Sequence, residues 1–368
     1  MFHADKNNSE QGDLTMSTLA THASRLMAVR NKLVFLVIAV LFTGCSLHPI
    51  YKTTGFVLAN YSEGEATPYV MQMSDPEMAC ALGEGIDPLL YSFSRINDAP
   101  NTSGSLLMLL AANCMEYEAW EAELGYLRAD YEGDVPAAKD ARERSKRLYA
   151  LTAKRRQLAF LRAMAAYDFD PSKEPLECPT LQSEQEEMTF LLGLLTGLQA
   201  VVNDANSGAR AGIPRNIAPQ AERAATCIDN DKTGGLPNAV RAMVWLLLPD
   251  TRPEQSPDPW QVLENSSAMG VRSGMRASMA LEAVAAETFG RTDILADVIH
   301  RFVEADDTIE VWEKYRLADY VAENIIRFSS DKHWTAEYGY RTPQSFFGKM
   351  SPERNTENIE TMSLDGLL

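Results

Sequence analysis

Histidine is scarce in this 368-residue chain: there are five, and none belongs to an H-E-x-x-H pair. That removes the helical zinc-hydrolase arrangement, which needs two imidazoles one turn apart on the same face. A phosphate loop G-x-x-x-x-G-K, a G-x-S-x-G elbow and a glycine-rich dinucleotide fingerprint are missing too. The chemistry each would support is therefore without its usual backbone cradle or nucleophile. Cysteine is just as rare, five in all, with no two within four positions of each other, so no metal-knuckle spacing exists. Positive charge is short as well: 34 Lys and Arg stand against 51 Asp and Glu, a net charge of −17. Nucleic-acid binding needs a basic surface and is excluded on this ground. Strict apolar–polar alternation hardly occurs, which argues against a sheet.

The longest apolar run, Leu33 to Phe42, is also too short to span a bilayer, where about 20 residues are needed. Arg30 and Lys32 precede it and small Thr43 and Gly44 follow, the flanks of a secretion signal. Read from Met27, MAVRNKLVFLVIAVLFTGC resembles a bacterial lipoprotein signal peptide, with Cys45 as the acylated first residue. The alternatives are a signal peptide cleaved elsewhere or a short interfacial helix. Residues 1–26 are polar and patternless, as in an over-long start or an extended leader. Several acyl chains on Cys45 would anchor stably, since each buried methylene contributes about 0.8 kcal/mol. Ser46 follows the cysteine, and the resemblance then implies the periplasmic side of the outer membrane.

The expected organisation is a leader and signal over 1–44, a lipidated polar tether over 45–73 and a helical body over 74–337. A tail without periodicity fills 338–368 and is expected to be mobile. Only a short extended piece, Gly55 to Ala59, is expected in the tether. In the body, Ser74-Asp75-Pro76 opens a helix, and Asp87-Pro88 opens another turn. Leu106, Leu109, Leu110, Cys114, Tyr117, Trp120, Leu124 and Leu127 form a helical stripe, and Pro136 opens a long basic helix. Ser183-Glu184-Gln185-Glu186 is a capping box, beyond which Gly193 and Gly197 allow close helix approach. Further helices are expected over 219–228, 237–248, 259–270, 273–289, 293–305 and 309–328. The fold class is all-α, an α-solenoid or helical bundle of antiparallel pairs. The segment spacing approaches the tetratricopeptide period of about 34 residues, so any such repeats are degenerate.

An oxidising compartment allows two disulfides, and the expected pairs are Cys80–Cys114 and Cys178–Cys227, with four buried thiols as the alternative. Arg144, Arg147, Arg155 and Arg156 belong to a basic helix in an acidic protein. They either pair with the acidic helix around Glu116–Glu123 or form a surface for a partner or an anionic ligand. Met188, Met243, Trp245 and Met275 lie in helices apolar around much of their circumference. Core burial explains them, and so would the lining of an apolar channel. No metal or other cofactor is expected.

The stretches GLPNAVRAMVWLLLPDTRPEQSPDPWQVLENSSAMG, SGMRASMALEAVAAETFGRTDILADVIHRFVEADD and WEKYRLADYVAENIIRF, together with RSKRLYALTAKRRQLAF, resemble the TatT family. These are tetratricopeptide-like lipoproteins associated with TRAP transporters. The resemblance implies a non-enzymatic, membrane-tethered α-helical protein that engages a periplasmic substrate-binding protein and assembles as a homo-oligomer, such as a trimer with an apolar pore. It implies a small organic ligand, hydrophobic or an organic acid. The rival expectation is an outer-membrane lipoprotein scaffold for envelope assembly that carries no small ligand.

Overall fold

The computed structural model describes Lys32 and residues 48–352, and among these there is no strand. Cys45, the expected acylation site, the rest of the expected signal segment apart from Lys32, and residues 353–368 lie outside the described residues. The chain divides into two compact units, 1–54 and 55–368. The first is represented by Lys32 and the opening turns of helix α1 (His48–Tyr61), and the end of α1 belongs to the second.

Where a polar tether with an extended piece was expected, the chain is helical. A wide π-type turn (Ser62–Ala66) and a short helix α2 (Thr67–Met71) continue directly from α1. The reason is tertiary: Val70 is buried in a small cluster with Ala79, Leu110 and Leu317, partners far away in sequence. Helix α3 (Pro76–Ser92) starts as expected, with the Asp75 carboxylate accepting the Met78 N–H at 2.8 Å. It then runs unbroken through Pro88, because buried Asp87 is paired to Arg162 and fixes that turn.

Two long helices follow, α4 (Asn101–Tyr131) and α5 (Val135–Ala166). Helix α6 (Glu184–Ser207) begins at the anticipated cap, where Ser183 accepts the Glu186 N–H at 3.2 Å. The Glu186 carboxylate, however, accepts from the Gln182 N–H at 2.6 Å instead of closing the box on Ser183. A Cβ on Gly193 would lie 2.3 Å from Ala163 Cβ, and one on Gly197 would lie 2.6 Å from Phe160. Those two glycines let α5 and α6 pack at near-backbone contact. Helix α6 is long and apolar enough to cross a membrane, yet Phe190, Leu191, Leu194 and Leu198 are buried in the main core.

The remaining helices are α7 (Ile217–Ala225), α8 (Leu236–Leu247), α9 (Pro259–Ser273), α10 (Ala277–Thr288), α11 (Thr292–Asp306) and α12 (Arg316–Tyr338). From α3 to α11 each packs on its neighbours in sequence, as a helical stack requires. Helix α12 departs from that order: it packs against α10 and also against α4, α3 and α2. The stack is thereby closed on itself. Helix α12 starts later than its periodicity suggests, because the preceding segment is tied across α9, with the Trp312 N–H donating to the Gly274 carbonyl at 2.9 Å. Gly274 has φ 79° and a Cβ there would be 2.3 Å from the Glu310 carbonyl oxygen, so only glycine permits the crossing.

The tail to residue 352 is folded, against expectation. Tyr338, Tyr340 and Phe346 ring the fully buried Trp334, whose indole N–H donates to the Lys349 carbonyl at 2.9 Å. The Asp331 carboxylate accepts the Thr342 N–H at 3.0 Å. Lacking helical or strand periodicity, such a segment looks featureless in one dimension.

Both disulfides are present. Cys80–Cys114 joins α3 to α4 with Cα atoms 5.3 Å apart, and Cys178–Cys227 joins the loop before α6 to the turn after α7 with Cα atoms 5.4 Å apart. The second links two connecting segments, not two helices.

Candidate functional site

Closure by α12 leaves a cavity of about 1010 Å³ within the second unit. Each surrounding helix gives one stripe to its wall. Helix α12 presents Leu317, Val321, Ile325, Phe328 and Lys332, and α10 presents Ala277, Leu281, Val284 and Thr288. These are spacings of three and four, the period that keeps side chains on one helical face. Helix α6 adds Leu192, Leu195, Leu198 and Val202, while α4 adds Leu106, Leu110, Asn113, Glu116 and Trp120. Trp120 stacks flat on Phe328, with ring centroids 4.5 Å apart. Leu58, Tyr61, Tyr69, Ile86 and Leu89 line the cavity and are also exposed, so the opening is fringed by α1, α2 and α3.

Besides Ser62, Glu65, Thr67, Asn206 and Thr288, two hydrogen-bonded groups of polar side chains border the largely apolar wall. In the first, Arg156 of α5 is 1% exposed and donates to Glu116, to Gln199 and, at 3.0 Å, to Asn113 Oδ1. Asn203 donates from Nδ2 to Glu116 Oε1 at 3.1 Å and to the Gln199 carbonyl at 2.9 Å. Two atoms of this group have no partner: Arg156 Nε and Asn203 Oδ1.

In the second group, Lys332 lies 2.8 Å from Glu123 and 2.5 Å from Glu287, and the Tyr149 hydroxyl donates to Glu123. Ser329 donates to the other Glu287 oxygen at 2.9 Å. Burial works to lower the Lys332 ammonium, but the charges of Glu287 and Glu123 outweigh it and hold the group above its ordinary value. Burial, reinforced by the Glu123 charge, pushes the Tyr149 phenol well up. The neighbouring Tyr117 phenol is pushed up to about 12, again mainly by burial. Each buried cation is thus already matched by carboxylates of the protein itself.

The four arginines singled out from the sequence do not form one patch. Arg144 and Arg147 are exposed and pair with Glu118 and Glu143, at 3.8 Å and 3.3 Å. Arg155 reaches Glu84 and the Ala111 carbonyl, both at 2.5 Å. Arg156 alone of the four reaches the cavity wall. Pairing across α4 and α5 therefore accounts for Arg144 and Arg156, through Glu118 and Glu116.

Of the four apolar candidates, Met243 lines the cavity. Met188 and Met275 are buried in the main core, and Trp245 turns away to donate to Glu222 at 3.1 Å. The sequence reading missed the α12 stripe and the polar residues Asn203, Glu287 and Lys332. The four-residue spacing of Leu317, Val321 and Ile325 was a usable signal for the stripe. Nothing in the sequence marked the polar three, whose partners come from other helices. Among the described residues no group of three His, Cys, Asp or Glu could hold a metal ion.

No protein-family model, curated protein or solved structure matches this chain.

Proposed function

We propose that this protein is a membrane-tethered, non-enzymatic binding component of TRAP-type solute uptake. On this reading it holds one hydrophobic organic molecule in its interior and exchanges it with a periplasmic substrate-binding protein. The observation that carries the reading is the cavity of about 1010 Å³ walled by apolar stripes from α4, α6, α10 and α12 and opening between exposed Leu58, Tyr61, Tyr69 and Leu89. Ligand pockets of about 300–1,000 Å³ take drug-sized molecules, so a single long-chain or polycyclic ligand is of the right scale. The membrane tether is the acylated Cys45 of the lipobox, and the oxidising compartment agrees with two disulfides. The TatT resemblance supplies the partner and a homo-oligomeric arrangement.

The test starts from protein gently extracted from membranes and examined by native mass spectrometry. One co-purifying lipid-like molecule per chain is expected, and Val284→Trp, which fills the cavity from α10, should lose it while remaining folded. An empty protein that instead brings down outer-membrane assembly machinery would establish the scaffold function and end this reading.

A further inference from the structure

The rim of the cavity is apolar on its solvent side as well. On helix α3, Met78, Leu82, Ile86 and Leu89 recur at intervals of four, four and three, which sets them on one face. Met78 and Leu89 are 57% and 56% exposed, and Leu82, Ile86 and Leu89 line the cavity. From α1 and α2 come Leu58, Tyr61 and Tyr69, exposed and lining it too, with exposed Val57 one turn before Tyr61. Apolar side chains of this size gathered in water mark a contact with a protein or a membrane. Leu151, Leu158 and Leu161 of α5 are exposed as well, but none of them lines this cavity.

We infer that this rim docks on the surface of a neutral, zwitterionic bilayer, so that the cavity opens toward lipid and the membrane is a reservoir for its apolar ligand. The inference rests on the tether and cavity readings above and deepens them. Chain length supports it: Gly55, where the second unit begins, follows Cys45 by ten residues, which reach at most about 36 Å. An acylated Cys45 therefore keeps the rim at high effective concentration beside a bilayer. Charge selects the kind of surface. No lysine or arginine stands between Lys52 and Arg95, so this segment has no cation to draw it to anionic headgroups, and burial of apolar surface is the attraction that remains. Tyr61 and Tyr69 carry an apolar ring with a polar tip, the combination that sits at headgroup level. A second copy of the chain seated on the rim would close the opening. A bilayer there lets an apolar molecule pass between lipid and cavity without entering water.

The experiment is photocrosslinking of the acylated chain in vesicles of dioleoylphosphatidylcholine, with p-benzoylphenylalanine in place of Val57, of Met78 or, as a control, of Leu161. Neither Val57 nor Met78 lines the cavity, so an adduct there reports the bilayer and not a molecule held inside. Mass spectrometry should find phospholipid adducts at 57 and 78 in about tenfold or greater excess over 161, which is 50% exposed. Leu89→Gln, checked for its fold by thermal melting, should lower the yield at 78 by about tenfold. Replacing a third of the lipid by phosphatidylglycerol should not raise the yield. Equal yields at all three positions, or adducts between two copies of the chain at 57 and 78, overturn the docking and leave cavity binding intact, since the co-purifying ligand is read separately. An intact mass without acyl groups ends the tether reading and this inference with it. Lipid adducts at 57 and 78 on a chain with an empty cavity uphold the docking and end the cavity reading alone.

Discussion

Arg276 and Arg156 are both almost wholly buried and both paired with acidic side chains, but they are finished differently. Arg276 donates from Nε at 3.0 Å and from Nη2 at 2.6 Å to the two oxygens of Asp319, and from Nη1 at 2.8 Å to Asp306. Every nitrogen is used, the guanidinium stacks 4.0 Å from the centre of Phe302, and Asp319 also accepts the Arg276 backbone N–H at 2.9 Å. Arg156 is held just as firmly at its terminal nitrogens, but its Nε has no partner. The Arg276 network clamps the start of α10 to α11 and α12; the Arg156 network ties α4, α5 and α6 together beside the cavity. The difference teaches that burial and ion pairing alone do not mark a site: of the two buried arginines only Arg156 belongs to the cavity wall.

The comparison can be broken most sharply at Arg276. Arg276→Ala strands the buried Asp319 without its cation, and denaturant unfolding should show a loss of about 3–5 kcal/mol. A loss below about 1 kcal/mol would mean that the clamp between α10 and α12 is not structural.

A smaller and pH-dependent effect is expected at Lys332. Its raised folded value means that its contribution to stability is complete below the ordinary lysine range and fades as pH climbs through that range and beyond. The melting temperatures of the wild type and Lys332→Met should therefore differ most near neutral pH and converge in strong alkali. A gap that persists undiminished in strong alkali, well above the ordinary lysine range, would contradict the pairing with Glu123 and Glu287.

Least is expected at the surface. Arg144→Ala removes an exposed ion pair at 3.8 Å and should change stability by less than about 0.5 kcal/mol in the same assay. A large loss there would show that this exposed basic face is energetically coupled to the core after all.

Much of the helical layout was readable one residue at a time. Asp75 and Ser183 accept backbone N–H groups at helix starts, and Pro76, Pro136, Pro237 and Pro259 stand just inside theirs, whereas the helix expected over 273–289 is broken at Gly274, whose φ of 79° ends one helix before the next begins at Ala277. Such signals are local and survive without knowledge of the partner. The helix over 48–71 and the folded segment 339–352 were not readable, because their stabilising contacts come from elsewhere: Leu110 and Leu317 for Val70, and Trp334 for Phe346. The candidate site was legible in part. Met243 and Arg156 were named for their chemistry, but Met188, Trp245 and Met275 have the same apolar character and end up in the core. A helix apolar on several faces does not announce which face meets a void.

The sequence by itself determined an all-helical chain, its main turns and caps and an acidic surface, since each follows from backbone preference, short-range spacing or total charge. Only the tertiary structure decided that α12 returns to pack on α4, that a cavity remains inside that closure, and that Arg156, Glu116 and Asn203 meet in one buried network at its wall. The physical reason is range. Helix formation is governed by neighbours three and four residues away, whereas a void and the polar network beside it depend on side chains brought together from far apart in the chain, 40 residues for Arg156 and Glu116 and 87 for Asn203 and Glu116.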